Sequence, residues 1–328
     1  MWKKILGLAL LSAVSMAGAG LAFLYYREPE SRPARNVQVD MSSASIERGK
    51  YIYNLADCDG CHSPHDPLRY DTPPEEGKRG SGRVFNEPDM PGKIYTPNIT
   101  PDKQTGIGTW SDGEKIRAIR EGIGKHGQAL FPLMPYENYR YMSDADVEAL
   151  VAYLNSLPPV NHALPRTEVA FPVSMLMKAA PRPVDKPIER PDRGNRHSYG
   201  EYLVTVASCE TCHTPMDKGK PIRSKRLAGG NVFREGPVPV VSANITPDRE
   251  TGIGDWSFDR FRDRFYAHKD HAGKPIDPVK PERFSVMPWG NLSQLPEDDL
   301  AAIYQYLMTQ PPIANKVVTH PDGGGHGR

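Results

Sequence analysis

A five-residue motif that occurs twice constrains this chain more than any other feature. Its first copy is Cys58-Asp59-Gly60-Cys61-His62 and its second copy is Cys209-Glu210-Thr211-Cys212-His213. Each copy places two thiols three positions apart and a histidine directly after the second thiol. This spacing predicts covalent haem attachment, because each thiol can form a thioether to one vinyl group and the histidine is then held against the iron.

Zinc half-sites and thiol redox pairs share the C-x-x-C spacing, but neither explains both copies. A zinc site needs further cysteine or histidine at ligand spacing, and a redox pair does not require the histidine. The two pentads use all four cysteines of the chain. The sequence therefore predicts two covalently bound haem c groups. Their predicted attachment residues and proximal iron ligands are Cys58, Cys61 and His62 in the first copy, and Cys209, Cys212 and His213 in the second.

Length and composition favour a mainly α protein with two haem domains. A chain of 328 residues is long enough for two domains of ordinary size. Its 41 Lys and Arg residues balance 40 Asp and Glu residues, so no overall field favours nucleic acid as a partner. The 33 prolines predict short helices separated by long ordered loops, with haem contacts replacing part of the apolar core.

The N-terminus contains one stretch long enough to span a membrane. No charged residue occurs from Ile5 to Tyr26, and a helix of this length would extend about 33 Å, enough to cross a bilayer core. A signal peptide cleaved after Ala19 is the alternative, but the mature chain would then begin with an apolar segment. The sequence therefore favours an N-terminal membrane anchor, and both interpretations export the rest of the chain.

The surroundings of the two pentads also recur, which indicates an internal duplication. Gly49 and Tyr51 return 151 positions later as Gly200 and Tyr202. The run Asn98-Ile99-Thr100-Pro101-Asp102 returns 146 positions later, and Met134-Pro135-Tyr136 returns 153 positions later as Met287-Pro288-Trp289. Offsets that drift by only a few residues indicate loop insertions. The two halves should therefore share one fold.

Each half is predicted to contain a leading helix before its pentad and a closing helix near its end. The leading helices are expected over Ser45 to Asp57 and His197 to Ser208. The first closing helix starts with an N-cap signature at Ser143 and continues with an apolar stripe of helical period.

These observations divide the chain into six segments. In order they are the membrane anchor or signal peptide (1–27), a spacer rich in Pro and Arg (28–44), the first haem domain (45–160), an interdomain connector (161–196), the second haem domain (197–313) and a disordered tail (314–328). Within the connector only Phe171 to Ala180 has a helical pattern. The tail ends in a glycine-rich stretch with nothing to bury, which predicts disorder.

Met134 and Met287 are the predicted sixth ligands of the two irons, because a soft thioether suits an electron-transfer haem and raises its potential. They lie 72 and 74 residues after their histidines, in matching Met-Pro-aromatic triplets. Met90 also precedes a proline, but the second half has no methionine to match it. A second histidine on each iron is the alternative, with His126 and His271 as candidates whose registers agree within one residue. Such ligation would lower both potentials.

Three motifs downstream of the first pentad point to a family. They are Asn98-Ile99-Thr100-Pro101-Asp102, Thr105-Gly106-Ile107-Gly108-Thr109-Trp110-Ser111-Asp112 and Met134-Pro135-Tyr136. This set resembles the multihaem cytochrome c subunit of membrane-bound alcohol and gluconate dehydrogenases, over about residues 45–160 and 197–313. The resemblance implies two tandem class I cytochrome c-like domains after one transmembrane helix. By the same analogy, the closing helix of each domain should cross closely over the leading one at Gly49 or Gly200, because glycine has no side chain at the contact. The resemblance also implies a single-pass protein of the cytoplasmic membrane with its haem domains on the periplasmic side.

The resemblance further implies a function in electron transfer, without catalysis by the chain itself. Electrons would pass from a dehydrogenase or a quinol-oxidising complex to a downstream acceptor such as a terminal oxidase or a photosynthetic centre. The related subunits typically carry three haem sites and this chain has two, which leaves the partner open. The alternative is a dihaem enzyme such as a cytochrome c peroxidase, which needs an open iron with acid–base groups beside it. The likeness of the two halves favours the carrier.

Overall fold

The computed structural model describes residues 2–66, 68–85, 90–217, 219–234, 238–276 and 284–321. Within these residues the chain is mainly helical, with small antiparallel sheets between the helices. The helices are α1 (Trp2–Tyr26), α2 (Ser43–Leu55), α3 (Cys58–His62), α4 (Asp112–Glu121), α5 (Tyr136–Tyr139), α6 (Asp144–Ser156), α7 (Val173–Leu176), α8 (Arg196–Val206), α9 (Cys209–His213), α10 (Phe258–Tyr266), α11 (Trp289–Leu292) and α12 (Glu297–Met308).

The sheets are short and lie between the helices of each half. The strands are β1 (Arg83–Phe85), β2 (Gly92–Thr96), β3 (Glu168–Val169), β4 (Met216–Asp217), β5 (Lys220–Pro221), β6 (Val232–Phe233) and β7 (Val240–Val241). They pair in the order β1-β2-β3, β4-β5 and β6-β7. β1 and β2 pair with Arg83 opposite Thr96, and β6 and β7 pair with Val232 opposite Val241. Each half thus has an antiparallel strand pair after its pentad, β1-β2 in the first half and β6-β7 in the second, and the second half also has β4-β5.

The apolar core is organised around two helix pairs, α2 with α6 and α8 with α12. The leading and closing helices predicted from the sequence are therefore confirmed. Ser143 caps α6, because its hydroxyl accepts a hydrogen bond from the backbone N–H of Asp146. The apolar stripe of α6 faces the core, and its buried members are Val147, Leu150, Val151 and Leu154. The matching buried residues of α12 are Leu300, Ile303 and Leu307.

Both helix pairs cross so closely that only glycine fits at the contact. A Cβ on Gly49 would lie 1.9 Å from the carbonyl oxygen of Ala149, and a Cβ on Gly200 would lie 2.0 Å from that of Ala302. These distances are far below van der Waals contact, so any side chain would force the helices apart. The crossing that the repeated glycines predicted is confirmed in both halves.

Helix α1 contains the apolar N-terminal stretch, and none of its described side chains is buried. By length and composition it is able to cross a membrane, a test that a signal sequence also passes. Near its end, the Tyr25 carbonyl accepts a hydrogen bond from the Lys178 ammonium at 2.8 Å. The stretch of the connector with a helical pattern forms α7 and then a 3₁₀ turn from Met177 to Ala179. Lys178 lies in that turn.

The segment predicted as a spacer packs on the first half. Val39 is buried, and its backbone N–H donates to the Asp112 carboxylate at 3.0 Å. Arg35 forms ion pairs with Asp144 and Glu148 on α6. Residues 35–39 are thus held to α4 and α6 by contacts that composition does not reveal.

The prediction of a disordered tail from residue 314 is wrong for residues 314–321. The side chain of Asn315 donates to the carbonyl oxygen of Ala228 at 2.9 Å. Farther along, the backbone N–H of Val241 donates to the carbonyl oxygen of Thr319 at 2.8 Å. The side chain of Asn315 therefore gives the Ala228 carbonyl a hydrogen-bond partner and ties residues 314–321 to the second half. Residues 322–328, the rest of the predicted tail, lie outside the described residues.

Candidate haem-binding sites

The two pentads adopt the same local structure. Each forms a five-residue helix, α3 or α9, directly after its leading helix. The residue before each pentad has a left-handed backbone, with φ of 48° at Asp57 and 53° at Ser208. This turn separates the leading helix from the pentad helix. On a helix, residues three apart share a face, so the two cysteines of each pentad lie side by side with the histidine next in sequence.

The pentad histidines are held in one orientation and one tautomer. His62 Nδ1 lies 2.8 Å from the carbonyl oxygen of Pro97, and His213 Nδ1 lies 2.7 Å from that of Ala243. A carbonyl oxygen only accepts, so Nδ1 carries the hydrogen and Nε2 keeps its lone pair. Burial lowers the pKa of both rings, which favours this neutral form. Metal-ligating histidines have this arrangement, in which the second nitrogen is oriented by a carbonyl. Both sites therefore suit an iron ligand.

A glycine positions each histidine from the other side of the pentad. The backbone N–H of Gly82 donates to the carbonyl oxygen of His62 at 2.6 Å, and Gly229 donates to that of His213 at 2.7 Å. Both glycines have positive φ, and a Cβ on Gly82 would lie 2.6 Å from the Thr96 carbonyl oxygen. The sequence interpretation missed this pair. The two glycines are 147 residues apart, a separation within the range of the other repeat offsets, and this could have identified them from the sequence.

None of the four cysteines is in a disulfide bond. Cys58, Cys61 and Cys209 are partly buried, and Cys212 is exposed. Burial raises the pKa of Cys58, and raises that of Cys209 to about 12. In the described part of the chain, no three His, Cys, Asp or Glu side chains are grouped to hold a metal ion. The pentads thus lack the further side-chain ligands that a zinc site needs.

The acidic residue inside each pentad is paired with an arginine. Asp59 is buried, accepts hydrogen bonds from the Tyr53 and Ser63 hydroxyls at 2.8 and 2.6 Å, and lies 3.3 Å from the Arg79 guanidinium. In the second pentad, Glu210 forms an ion pair with Arg226. Each pentad therefore has its negative charge balanced locally, which the buried carboxylate of Asp59 requires.

The two Met-Pro-aromatic triplets also share one conformation. Met134 and Met287 are partly buried and pack against the apolar core. In each triplet the backbone N–H of the aromatic residue donates to the carbonyl oxygen of the methionine, at 2.8 Å for Tyr136 and 2.7 Å for Trp289. A short helix follows each proline, α5 in the first half and α11 in the second. The repeated methionines thus occupy equivalent local positions.

The alternative distal ligands lie in a different environment. His126 and His271 are both exposed. The Nδ1 of His271 is 3.0 Å from the carbonyl oxygen of Ala267, one turn earlier in the chain. Neither histidine belongs to the apolar core against which Met134 and Met287 pack.

The repeated Asn-Ile-Thr motif organises a loop in each half. Asn98 is buried, and its Oδ1 accepts from the backbone N–H of Thr100 at 2.9 Å and from its hydroxyl at 2.7 Å. Its Nδ2 donates to Thr105 and to the Val160 carbonyl. Asn244 makes the equivalent bonds to Thr246, Thr251 and Ile313. Each asparagine thereby ties the loop to the segment that follows the closing helix.

Asn98→Ala should lower the free energy of unfolding by about 3 kcal/mol, because several buried donors and acceptors lose their partner. Urea unfolding followed by circular dichroism measures the change. Asn161→Ala is the matched control, since Asn161 is exposed and its amide bonds the side chains of Gln104 and Asp102 at the surface. A control effect within about 0.5 kcal/mol is expected. Equal effects of the two substitutions would contradict the role of Asn98.

Helix pairs crossing at glycine and C-x-x-C-H helices with carbonyl-oriented histidines define a cytochrome c. Residues 46–158 match the family model described as cytochrome c. The chain is also 30% identical over 320 residues to a diheme cytochrome c-type protein of Cereibacter sphaeroides, covering 94% of this chain and 97% of that one. The chain belongs to the cytochrome c family.

Longer relatives are electron-transfer subunits of dehydrogenases. The chain is 30% identical over 293 residues to the cytochrome c subunit of the quinone-dependent alcohol dehydrogenase of Gluconobacter oxydans, covering 84% of this chain and 56% of that subunit. It is 32% identical over 299 residues to the fructose dehydrogenase cytochrome subunit of Gluconobacter japonicus, covering 86% and 56%. The chain thus spans little more than half the length of these subunits.

Proposed function

We propose that the chain is an electron carrier with two tandem cytochrome c domains, residues 45–160 and 197–313, each binding one haem c. Cys58 and Cys61 would hold the first haem and Cys209 and Cys212 the second. The observation that carries the proposal is that both pentad histidines point Nδ1 at a backbone carbonyl. Such a pair of oriented ligands is what two iron sites of equal type require.

The axial ligands proposed for the two irons are His62 with Met134 and His213 with Met287. When bound, haem supplies reversible one-electron chemistry at its iron. The protein keeps each histidine neutral and oriented, and both methionines pack against the apolar core. With a histidine and a methionine as ligands of each iron, no ligand position would remain for a substrate, which suits a carrier rather than a peroxidase.

The proposed partners follow from the relatives. Because several are cytochrome c subunits of dehydrogenases, we infer that this chain accepts electrons from a dehydrogenase or a quinol-oxidising complex. It would pass them to a downstream acceptor, such as a terminal oxidase or a photosynthetic centre. Helix α1 would anchor the chain in the cytoplasmic membrane, with both haem domains on the periplasmic side. The chain is thus an electron-transfer protein or subunit and not itself the dehydrogenase.

A redox titration of the purified full-length chain tests this function. We expect two haems per chain by intact mass, two low-spin signals by electron paramagnetic resonance (EPR) and a methionine-to-iron charge-transfer band. A third haem or a single haem would contradict the proposed cofactor count. A high-spin haem together with turnover of hydrogen peroxide would instead support the peroxidase alternative.

A further inference from the structure

Between the two halves of the chain, side-chain hydrogen bonds occur in matching pairs. Tyr51 donates its hydroxyl to the Asp299 carboxylate at 2.5 Å, and Tyr202 donates to the Asp146 carboxylate at 2.6 Å. The two tyrosines are related by the repeat offset of 151, and the two aspartates by the offset of 153. Each half thus offers the same tyrosine and the same aspartate to the other. This is the pattern of a two-fold interface, formed here within one chain.

The aspartates of these pairs are buried carboxylates, so they need charged or polar partners. Asp146 and Asp299 are both 0% exposed. Asp146 accepts two hydrogen bonds from Arg48 at 2.8 and 2.9 Å, and Asp299 pairs with Arg193. Burial alone would raise the pKa of Asp146, but the hydrogen bonds and charge of Arg48 outweigh it and hold that pKa below its usual value. Removing one partner from a buried ion pair strongly destabilises a protein, because the remaining charge is buried and uncompensated. The interface therefore has one strongly preferred register.

Two further contacts, made by equivalent asparagines of the two halves, join the haem-binding segments themselves. The Asn291 amide donates to the Asp57 carboxylate at 2.8 Å, and the Asn138 amide donates to the Thr211 hydroxyl at 3.4 Å. Asn138 and Asn291 each lie four residues after the proposed methionine ligand of their own half. Asp57 directly precedes the first pentad, and Thr211 lies within the second. The ligand segment of each half therefore touches the attachment segment of the other.

Asp57 lies near the opposite pentad. Its carboxylate is close enough to Cys212 for an electrostatic interaction. The helices agree with this proximity, since α11 contacts α2 and α5 contacts α8. The two attachment segments thus face each other across the interface.

We propose that these reciprocal contacts hold the two haem sites at one fixed separation, so that electrons pass between the sites within one chain. Linked domains otherwise move relative to each other unless their interface is strong. Tyr51, Tyr202, Asn138 and Asn291 are the positioning residues. One site is oxidised by one electron while the other is reduced by one, and no bond or proton changes place. The inference rests on the proposed two-haem carrier function.

The test compares iron-to-iron distances in the full-length protein. Pulsed EPR of the fully oxidised native chain should give a single narrow distance distribution. In Tyr51→Phe/Tyr202→Phe the distribution should broaden, because each lost hydrogen bond to a charged group weakens docking about tenfold. Tyr304→Phe is the matched control. Its hydroxyl donates to the Trp256 carbonyl at 2.7 Å within the second half, so its distribution should stay narrow.

The outcomes separate this proposal from the proposed function. A broad distribution in the native chain, or a narrow one in the double variant, would overturn the positioning role. If the double variant does not fold by circular dichroism, Asn291→Ala replaces it, and an unchanged distribution in that variant counts against the proposal equally. Haem content and spin state are measured on the same samples. Fewer than two low-spin haems would overturn the carrier function itself, whereas two low-spin haems with a broad native distribution overturn only the fixed separation.

Discussion

Replacing Met134 with alanine should convert one of the two haems to a high-spin form and leave the other unchanged. Alanine has no donor atom, so the iron of the first half would lose its thioether ligand while His62 stays in place. The methionine-to-iron charge-transfer band should fall by about half, because only one of two equivalent sites is affected. Met287→Ala should give the same loss at the second haem. Optical and EPR spectra of the oxidised proteins measure both changes.

Met90→Ala is the matched control for this experiment. Met90 also precedes a proline but has no counterpart in the second half, so its loss should leave the spectra unchanged. An unaltered charge-transfer band in Met134→Ala would refute the assignment of that ligand. If His126→Ala produced the high-spin signal instead, the iron of the first half would have two histidine ligands. The exposed position of His126 makes the methionine the stronger candidate.

Local features of the chain were predictable because each depends on neighbours in sequence. The start of α6 follows from the Ser143 cap, and the apolar stripe that follows it faces the core. The close crossing at Gly49 was predictable for a different reason. A glycine inside a helix is unfavourable on its own, so its return at Gly200 in the same register indicates a packing role. Duplication thus converted a weak local signal into a specific one.

The contacts between the halves were not predictable from local pattern. Tyr51 and Asp299 are 248 residues apart, and no sequence motif connects them. Asp146 and Asp299 also had a simpler explanation, since acidic residues in the first turn of a helix stabilise its N-terminus by themselves. Only the three-dimensional structure shows that both carboxylates are buried and bonded to the opposite half. The repeat offset of 153 could have drawn attention to them but could not name their partners.

The orientation of the pentad histidines could not be predicted from the sequence either. Nothing in C-x-x-C-H states which ring nitrogen is protonated, since that depends on a carbonyl supplied 35 residues later by Pro97. The position of that carbonyl in turn depends on the contact between Gly82 and the end of β2. The motif therefore predicts the ligand, while the hairpin that follows determines its geometry.

Gly49→Ala should destabilise the first half by at least about 3 kcal/mol, at the upper end of the usual cost of overpacking. The added Cβ would lie 1.9 Å from the Ala149 carbonyl oxygen and 2.7 Å from the Tyr153 Cβ. Both neighbours belong to the rigid part of α6, so the two helices would have to separate and lose core contacts along their length. Urea unfolding of the full-length protein, followed by circular dichroism and by the haem spectrum, measures the effect.

Gly290→Ala makes the same chemical change without the clash. Gly290 lies in α11, where the one described atom that an added Cβ would meet is the Ala272 Cβ at 3.5 Å, an ordinary contact. There the substitution should be neutral or stabilising by up to about 1 kcal/mol, because alanine reduces the freedom of the unfolded chain. Equal urea midpoints for Gly49→Ala and the native protein would show that α2 and α6 can move apart without loss of stability. Gly200→Ala repeats the clash at Ala302 in the second half, so a loss confined to one half would contradict the equivalence of the two crossings.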